Sequence, residues 1–104
     1  MEIIKENSKN RIVTILEAHV SQENWETLQK AYRKLGEESK MRPTQSFLVQ
    51  NKETPTLWRI ISIWEDMGVL QKIRQSGETP TGMLIFRAAG AEPKLEVFEA
   101  KEEL

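Results

Sequence analysis

The apolar positions within residues 57–77 change period partway along the stretch, which predicts a strand that leads directly into a helix. Residues 57–64 alternate between two faces. Trp58 and Trp64 share one face, Ile61 lies on the other, and the two faces are similarly apolar. A strand with one solvated face shows hydrophobic residues on a single parity. The alternation therefore predicts a central strand that is covered on both sides of its sheet.

The neighbouring stretches predict the rest of an α+β domain. Asp66 is a suitable N-cap for the helix that follows the central strand, and Gly77 is a suitable stop. Residues 11–20 are rich in branched side chains on both faces and predict a second central strand. The other predicted elements are a helix from Ser21 to Gly36, a strand over residues 45–50, a strand over residues 83–87 and a fifth, edge strand over residues 95–98.

This order of elements, β-α-β-β-α-β with one further strand, predicts a ferredoxin-like α+β fold in which two helices cover one face of an antiparallel sheet. Because several strands are apolar on both faces, the uncovered face is expected to pack against the sheet of a second copy. A homodimer is therefore the expected assembly. All 104 residues are assigned to one domain, with residues 1–10 as an N-terminal extension and residues 99–104 as an acidic tail.

Composition narrows the classes of partner and cofactor. The formal net charge is -1 with 30% charged residues of mixed sign, so no basic patch predicts nucleic-acid binding. An RNA-binding module shares the predicted order of elements, but MLIFRAAG lacks the aromatic signature of that module. The absence of cysteine excludes disulfides and cysteine-ligated metals, and no nucleotide, zinc or serine-hydrolase motif occurs. We therefore expect no metal and no cofactor. No apolar run approaches the length that spans a bilayer, so no membrane partner and a cytoplasmic location are expected.

Two aromatic side chains on the central strand are candidate ligand contacts. Trp58 and Trp64 lie on one face by parity, and large rings give the flat apolar walls on which a planar aromatic ligand stacks. Both are therefore predicted to bind substrate. The structural alternative is that each ring packs in the core beneath the helices.

Four polar side chains are candidates for chemistry. His19 is the only histidine and a candidate general base, with Glu17 placed to orient it, and Tyr32 offers the only phenol. Arg59 is a candidate catalytic group, and Arg87 is a candidate substrate-binding group, because strand arginines can hold a carboxylate or an oxyanion. The structural alternatives are an edge or interface position for the histidine, a core position for the tyrosine and salt bridges for the arginines.

The runs WRIISIWED and SGETPTGMLIFRAAGAEPKLEVFE resemble the antibiotic biosynthesis monooxygenase family of dimeric α+β barrels, and the resemblance extends over about residues 11–98. It implies two protomers that pair sheet to sheet, each with a pocket between its own sheet and helices. It also implies that Trp64 lines that pocket. Haem-degrading members use an asparagine on the first strand and a histidine at or after the second helix. Leu16, Glu17 and residues 73–82 provide neither, so haem degradation is not expected.

Two functions follow from the resemblance together with the candidate residues. The first is a cofactor-independent monooxygenase that acts on a small aromatic or quinol substrate. The second is a non-catalytic dimer that binds a small molecule or regulates through the same pocket.

Overall fold

In the computed structural model, which describes residues 10–104, one four-stranded antiparallel sheet carries its helices on one face. The predicted N-terminal extension lies outside the described residues except for Asn10. The strands pair in the order β2-β3-β1-β4. The elements are β1 (Ile12–His19), a 3-10 turn (Gln22–Asn24), α1 (Trp25–Glu38), β2 (Gln45–Gln50), β3 (Leu57–Trp64), α2 (Met67–Ser76), α3 (Thr81–Ala88) and β4 (Lys94–Glu99).

The ferredoxin-like α+β prediction is confirmed, and both strands predicted to be central are central. β1 pairs with β3 and β4, and β3 pairs with β2. Leu16, Trp58 and Ile60 are buried on the side that faces the helices. Ile15 and Ile61 are register partners of the opposite parity, and they lie on the face that the helices leave open. One apolar face of these two strands therefore packs against the helices, and the other apolar face points away from them.

The strand predicted over residues 83–87 is wrong, because this segment lies within α3. Ile85 and Ala89 are buried at a spacing of four residues, with Phe86 buried between them, so the apolar side chains follow one helical face. A five-residue apolar run cannot distinguish a buried strand from a buried helix by period. The last strand of the fold is instead β4, which was predicted as an additional edge strand.

Local capping differs between the first two helices. Asp66 caps α2 by accepting a hydrogen bond from the backbone N–H of Val69 at 3.3 Å, and Gly77 ends the helix in a left-handed conformation with φ of 77°. Ser21 makes no side-chain capping bond, and a 3-10 turn separates it from α1. The predicted stop at Gly36 is two residues early, since α1 continues to Glu38.

Candidate functional site

A cavity of about 810 Å³ lies between the helix-facing side of the sheet and the three helices. Its volume is within the range of sites that hold a drug-sized ligand. Much of its wall is apolar, contributed by Leu16, Ile60, Leu70, Ile73, Leu95 and Val97.

A row of hydroxyl groups crosses the sheet at the base of this cavity. Ser46 of β2 is the register partner of Ser62 of β3, and Ser62 is in turn the partner of Thr14 of β1. All three residues line the cavity, and Thr14 and Ser62 are 8% and 6% exposed. We call these three residues the hydroxyl row. It places hydroxyl groups at one position on three neighbouring strands, beside the buried apolar side chains of Leu16 and Ile60.

Two aromatic side chains form hydrogen bonds with the residues at the two ends of the hydroxyl row, Thr14 and Ser46. The indole Nε1–H of Trp64 donates to Thr14 Oγ1 at 2.8 Å. The Tyr32 hydroxyl, which reaches across from α1, lies 2.9 Å from Ser46 Oγ, and Ser46 Oγ lies 3.3 Å from Ser62 Oγ. These hydrogen bonds hold both aromatic side chains at the cavity wall, because rotation of the indole, or movement of the Tyr32 side chain away from Ser46, would break a bond.

Charge is confined to the entrance of the cavity. Arg33, Glu37, Arg74 and Glu78 are examples of its charged lining residues, and all of them are exposed. Tyr32 is half-buried and is the one titratable side chain of the described cavity lining that is not exposed. The interior therefore offers neutral hydroxyl groups, one phenol and apolar surface.

Trp58 lies in the core and does not line the cavity. Its ring packs edge-on against Trp25, with centroids 5.9 Å apart and planes at 62°. Trp25 is held in place by a hydrogen bond from its Nε1–H to the backbone oxygen of Val20 at 2.8 Å. The pair joins the start of α1 to the centre of the sheet.

His19 and Arg59 lie on the side of the sheet that the helices leave open. His19 Nδ1 is 2.9 Å from Thr56 Oγ1 at an exposed position. Arg59 Nε donates to Glu17 at 2.7 Å, and the two residues are register partners on neighbouring strands. Glu17, which was predicted to orient His19, is thus paired with Arg59 instead.

Arg87 lies near the end of α3 and forms a two-point ion pair with Glu92, with distances of 3.0 and 2.8 Å. The hydrogen bond from Arg87 lowers the pKa of the Glu92 carboxyl. Two of the six predicted site residues, Tyr32 and Trp64, line the cavity. The other four do not, and they are His19, Trp58, Arg59 and Arg87.

None of the three residues of the hydroxyl row was predicted as a site residue. Thr14 and Ser62 could have been found by applying the parity argument to their strands. Thr14 has the parity of Leu16, and Ser62 has the parity of Ile60, so each is a small polar residue on an apolar face. Their alignment depends on the strand register, which the sequence alone does not give.

Residues 10–104 contain no group of three or more histidine, cysteine, aspartate or glutamate side chains that could hold a metal ion. None of the helices in the same part of the chain is both long enough and apolar enough to cross a bilayer.

The sequence matches no protein-family model and no curated protein, whereas solved structures share its fold. A Bacteroides thetaiotaomicron protein of unknown function, described as a possible oxidoreductase, is 21% identical, with 88% of this chain and 99% of that chain covered and a TM-score of 0.66.

Two further solved structures with this fold are a cofactor-independent oxygenase and a candidate monooxygenase. SnoaB of Streptomyces nogalater, a cofactor-independent oxygenase, is 12% identical, with 91% of this chain and 97% of that chain covered and a TM-score of 0.64. A candidate antibiotic biosynthesis monooxygenase of Caulobacter crescentus is 16% identical, with 91% and 93% covered and a TM-score of 0.67. Since identities this low establish the fold alone, the chain has the ferredoxin-like α+β fold found in proteins described as antibiotic biosynthesis monooxygenases.

Proposed function

We propose that this protein is a cofactor-independent monooxygenase that oxidises a small aromatic or quinol substrate in the cavity between its sheet and helices. The observation that carries this proposal is the position of Trp64. Its ring lines a cavity of about 810 Å³, and its N–H is already bound to Thr14, so the indole presents a fixed apolar wall. Planar aromatic molecules stack on such a wall. The fold shared with SnoaB supports the same reaction class.

The proposed reaction needs no electron donor besides the substrate. A phenol that gains one oxygen atom from dioxygen becomes a quinone, and its two lost hydrogens leave with the second oxygen atom as water. The protein would hold the ring and accept the phenolic proton. Ser62, Ser46 and Tyr32 are proposed to relay that proton to solvent beside the half-buried Tyr32, because a hydroxyl can accept one proton while it donates its own. The second oxygen atom takes up two protons from solvent as it leaves as water. His19, Arg59 and Arg87 have no part in this proposal, since they lie outside the cavity lining.

A second candidate function is a dimer that binds an aromatic ligand without turnover. The observation that favours it is the chemistry of the cavity interior. Within the described lining, every carboxylate is exposed at the entrance, and the single histidine of the chain lies elsewhere. Histidine and carboxylates are the usual general bases near neutral pH. Binding without catalysis would require none of them.

We further propose that the open sheet face pairs with the same face of a second copy. Phe47, Val49 and Phe98 are 47%, 38% and 48% exposed. Phe47, Ile61 and Ile15 are register partners across three strands. Phe98 is likewise aligned with Val13 and Ile63, so two adjacent rows of apolar side chains cross the open face. Contiguous apolar surface of this kind marks an interaction site, and a copy of the same surface is complementary in chemistry.

Oxygen uptake measured with a panel of quinols and polyphenols tests the function. The account predicts consumption of one dioxygen per molecule of a quinone that carries one oxygen atom more than its substrate. That added atom comes from labelled dioxygen, no hydrogen peroxide accumulates, and a chelator causes no loss of rate. A ligand that binds saturably in calorimetry but is never oxidised would overturn the monooxygenase proposal and favour the ligand-binding dimer.

A further inference from the structure

A second, smaller cavity of about 390 Å³ lies between α1 and the edge strand β2, and we call it the edge cavity. Three residues line both the edge cavity and the larger cavity, namely Tyr32, Arg33 and Ser46. The Tyr32 hydroxyl and Ser46 Oγ are 2.9 Å apart. The two cavities therefore share one wall, and a hydrogen bond between a phenol and a serine lies in that wall.

The edge cavity is open to solvent, whereas the base of the larger cavity is buried. The other residues that line the edge cavity include three that are exposed, Gln29, Phe47 and Val49. Ser62, at the base of the larger cavity, is only 6% exposed. Its Oγ lies 3.3 Å from Ser46 Oγ, which in turn contacts Tyr32. A path of three hydroxyl groups thus connects the buried base of one cavity with the solvent-filled side of the other.

The proposed reaction needs such a path. An aromatic molecule that fills the larger cavity displaces water from it, so a proton released at the base has no water beside it to accept it. A hydroxyl group accepts one proton while it donates its own, and its hydrogen rotates to suit its neighbours. Hydroxyl groups in contact can therefore carry a proton past a bound ligand.

We infer that the edge cavity is the proton exit of the larger cavity and that Tyr32 is the relay residue at its inner end. The phenolic proton of the substrate passes to Ser62, the proton of Ser62 passes to Ser46, and the proton of Ser46 passes to Tyr32. Tyr32 releases its own proton to water in the edge cavity. The step leaves a substrate phenolate and one hydrated proton, with each hydroxyl group restored. The inference rests on the proposed function insofar as both place a phenol in the larger cavity, but it does not require turnover.

1-Naphthol tests the inference on the full chain without any oxidation. Light makes its hydroxyl group strongly acidic, and neutral naphthol and naphtholate emit at different wavelengths. Bound 1-naphthol, excited at wavelengths that tryptophan does not absorb, should emit mainly as naphtholate in the wild-type protein. Tyr32→Phe and Ser46→Ala each remove one hydroxyl group of the path. Both should lower the ratio of naphtholate to naphthol emission several-fold while 1-naphthol still binds in calorimetry.

A pair of variants tests the edge cavity itself. Gln29 and Lys34 are both exposed residues of α1, but of the two only Gln29 lines the edge cavity, and neither lines the larger one. Gln29→Phe should exclude water from the edge cavity and lower the emission ratio, whereas Lys34→Phe should leave it unchanged.

A control variant distinguishes the path from other hydroxyl groups of the larger cavity. Thr81 lines that cavity, but its hydroxyl group is bound to Ser39 Oγ at 3.0 Å and lies outside the path. Thr81→Val should therefore give the emission ratio of the wild-type protein.

The outcomes separate this inference from the proposed function. If bound 1-naphthol showed the same emission ratio in the wild-type protein, Tyr32→Phe and Ser46→Ala, the inference would be wrong while the aromatic site remained. Equal effects of Gln29→Phe and Lys34→Phe would likewise show that the proton does not leave through the edge cavity. Failure of 1-naphthol to bind, together with failure of every quinol in the uptake panel, would instead remove the proposed function and this inference with it.

Discussion

Gly82 of α3 lies so close to Leu16 of β1 that a Cβ atom at position 82 would overlap the Leu16 side chain. This approach places α3 directly on the sheet beside the cavity. Leu16 is buried and lines the cavity, so a displaced α3 would also change the shape of that wall.

We expect Gly82→Ala to destabilise the protein by about 1–3 kcal/mol, because extra volume in a packed contact forces the helix or Leu16 to shift. Gly36→Ala is the matched control. Gly36 also lies in a helix, but no atom lies within 4 Å of the position its Cβ would take, so this variant should gain about 0.5–1 kcal/mol. Urea unfolding followed by tryptophan fluorescence measures both changes. Equal effects of the two variants would contradict the close contact.

Ile61→Glu should dissociate the proposed dimer, because it buries an unpaired carboxylate in the centre of the open sheet face. Light scattering should give about twice 12.1 kDa for the wild-type protein and 12.1 kDa for the variant.

Phe47→Glu and Met41→Glu form a control pair for this interface. The two side chains are 47% and 41% exposed, but Phe47 lies on the open sheet face and Met41 lies in the loop at the cavity. Only Phe47→Glu should weaken the dimer. A wild-type protein that is monomeric at micromolar concentration would disprove the interface.

Trp64→Phe should retain a folded protein and change the affinity for aromatic ligands, because it keeps most of the packing volume but removes the indole surface and its bond to Thr14. Trp64→Ala should cost about 3–5 kcal/mol as a large-to-small substitution, so loss of binding in that variant alone is not informative. Calorimetry and thermal unfolding on both variants separate the effects. If Trp64→Phe changed stability and left every ligand affinity unaltered, the ring would be structural.

Acid should weaken the attachment of the C-terminal tail. The hydrogen bond from Arg11 lowers the pKa of Glu103 below its ordinary value of 4.5. A carboxyl with a lowered pKa in the folded state stabilises the protein fully above its unfolded pKa, and this contribution is lost as the pH falls through the lowered value. We therefore expect a small loss of stability in Glu103→Gln above about pH 4.5 that disappears in stronger acid.

Glu102→Gln is the control for this pH effect, since Glu102 is the neighbouring residue and forms no ion pair in the described part of the chain. It should leave the pH dependence of unfolding unchanged. If Glu103→Gln and the wild-type protein showed the same dependence between pH 6 and pH 3, the Arg11 contact would not persist in solution.

The fold could be predicted from the sequence because β1 and β3 alternate over eight residues each and both faces are apolar. α3 could not, because a short run such as residues 83–87 has no decisive period, and its helical state depends on packing Ile85 and Phe86 against the core.

The candidate site was harder to predict than the fold. Parity correctly grouped Trp58 with Trp64 on one face, yet Trp58 pairs with Trp25 in the core while Trp64 reaches the cavity. The difference arises from where the helices lie along the strand. The hydroxyl row depends on the register of three strands, which is a property of the assembled sheet.

The presence of three tryptophans permits a direct test of the central claim, that the cavity binds a small aromatic molecule. In protein labelled with 5-fluorotryptophan, the fluorine resonance of Trp64 can be assigned by its loss in Trp64→Phe. Titration with 1-naphthol should shift that resonance saturably, while those of Trp25 and Trp58, which pack against each other in the core, change little. A Trp64 resonance that does not move with 1-naphthol, or three resonances that move equally, would contradict the account.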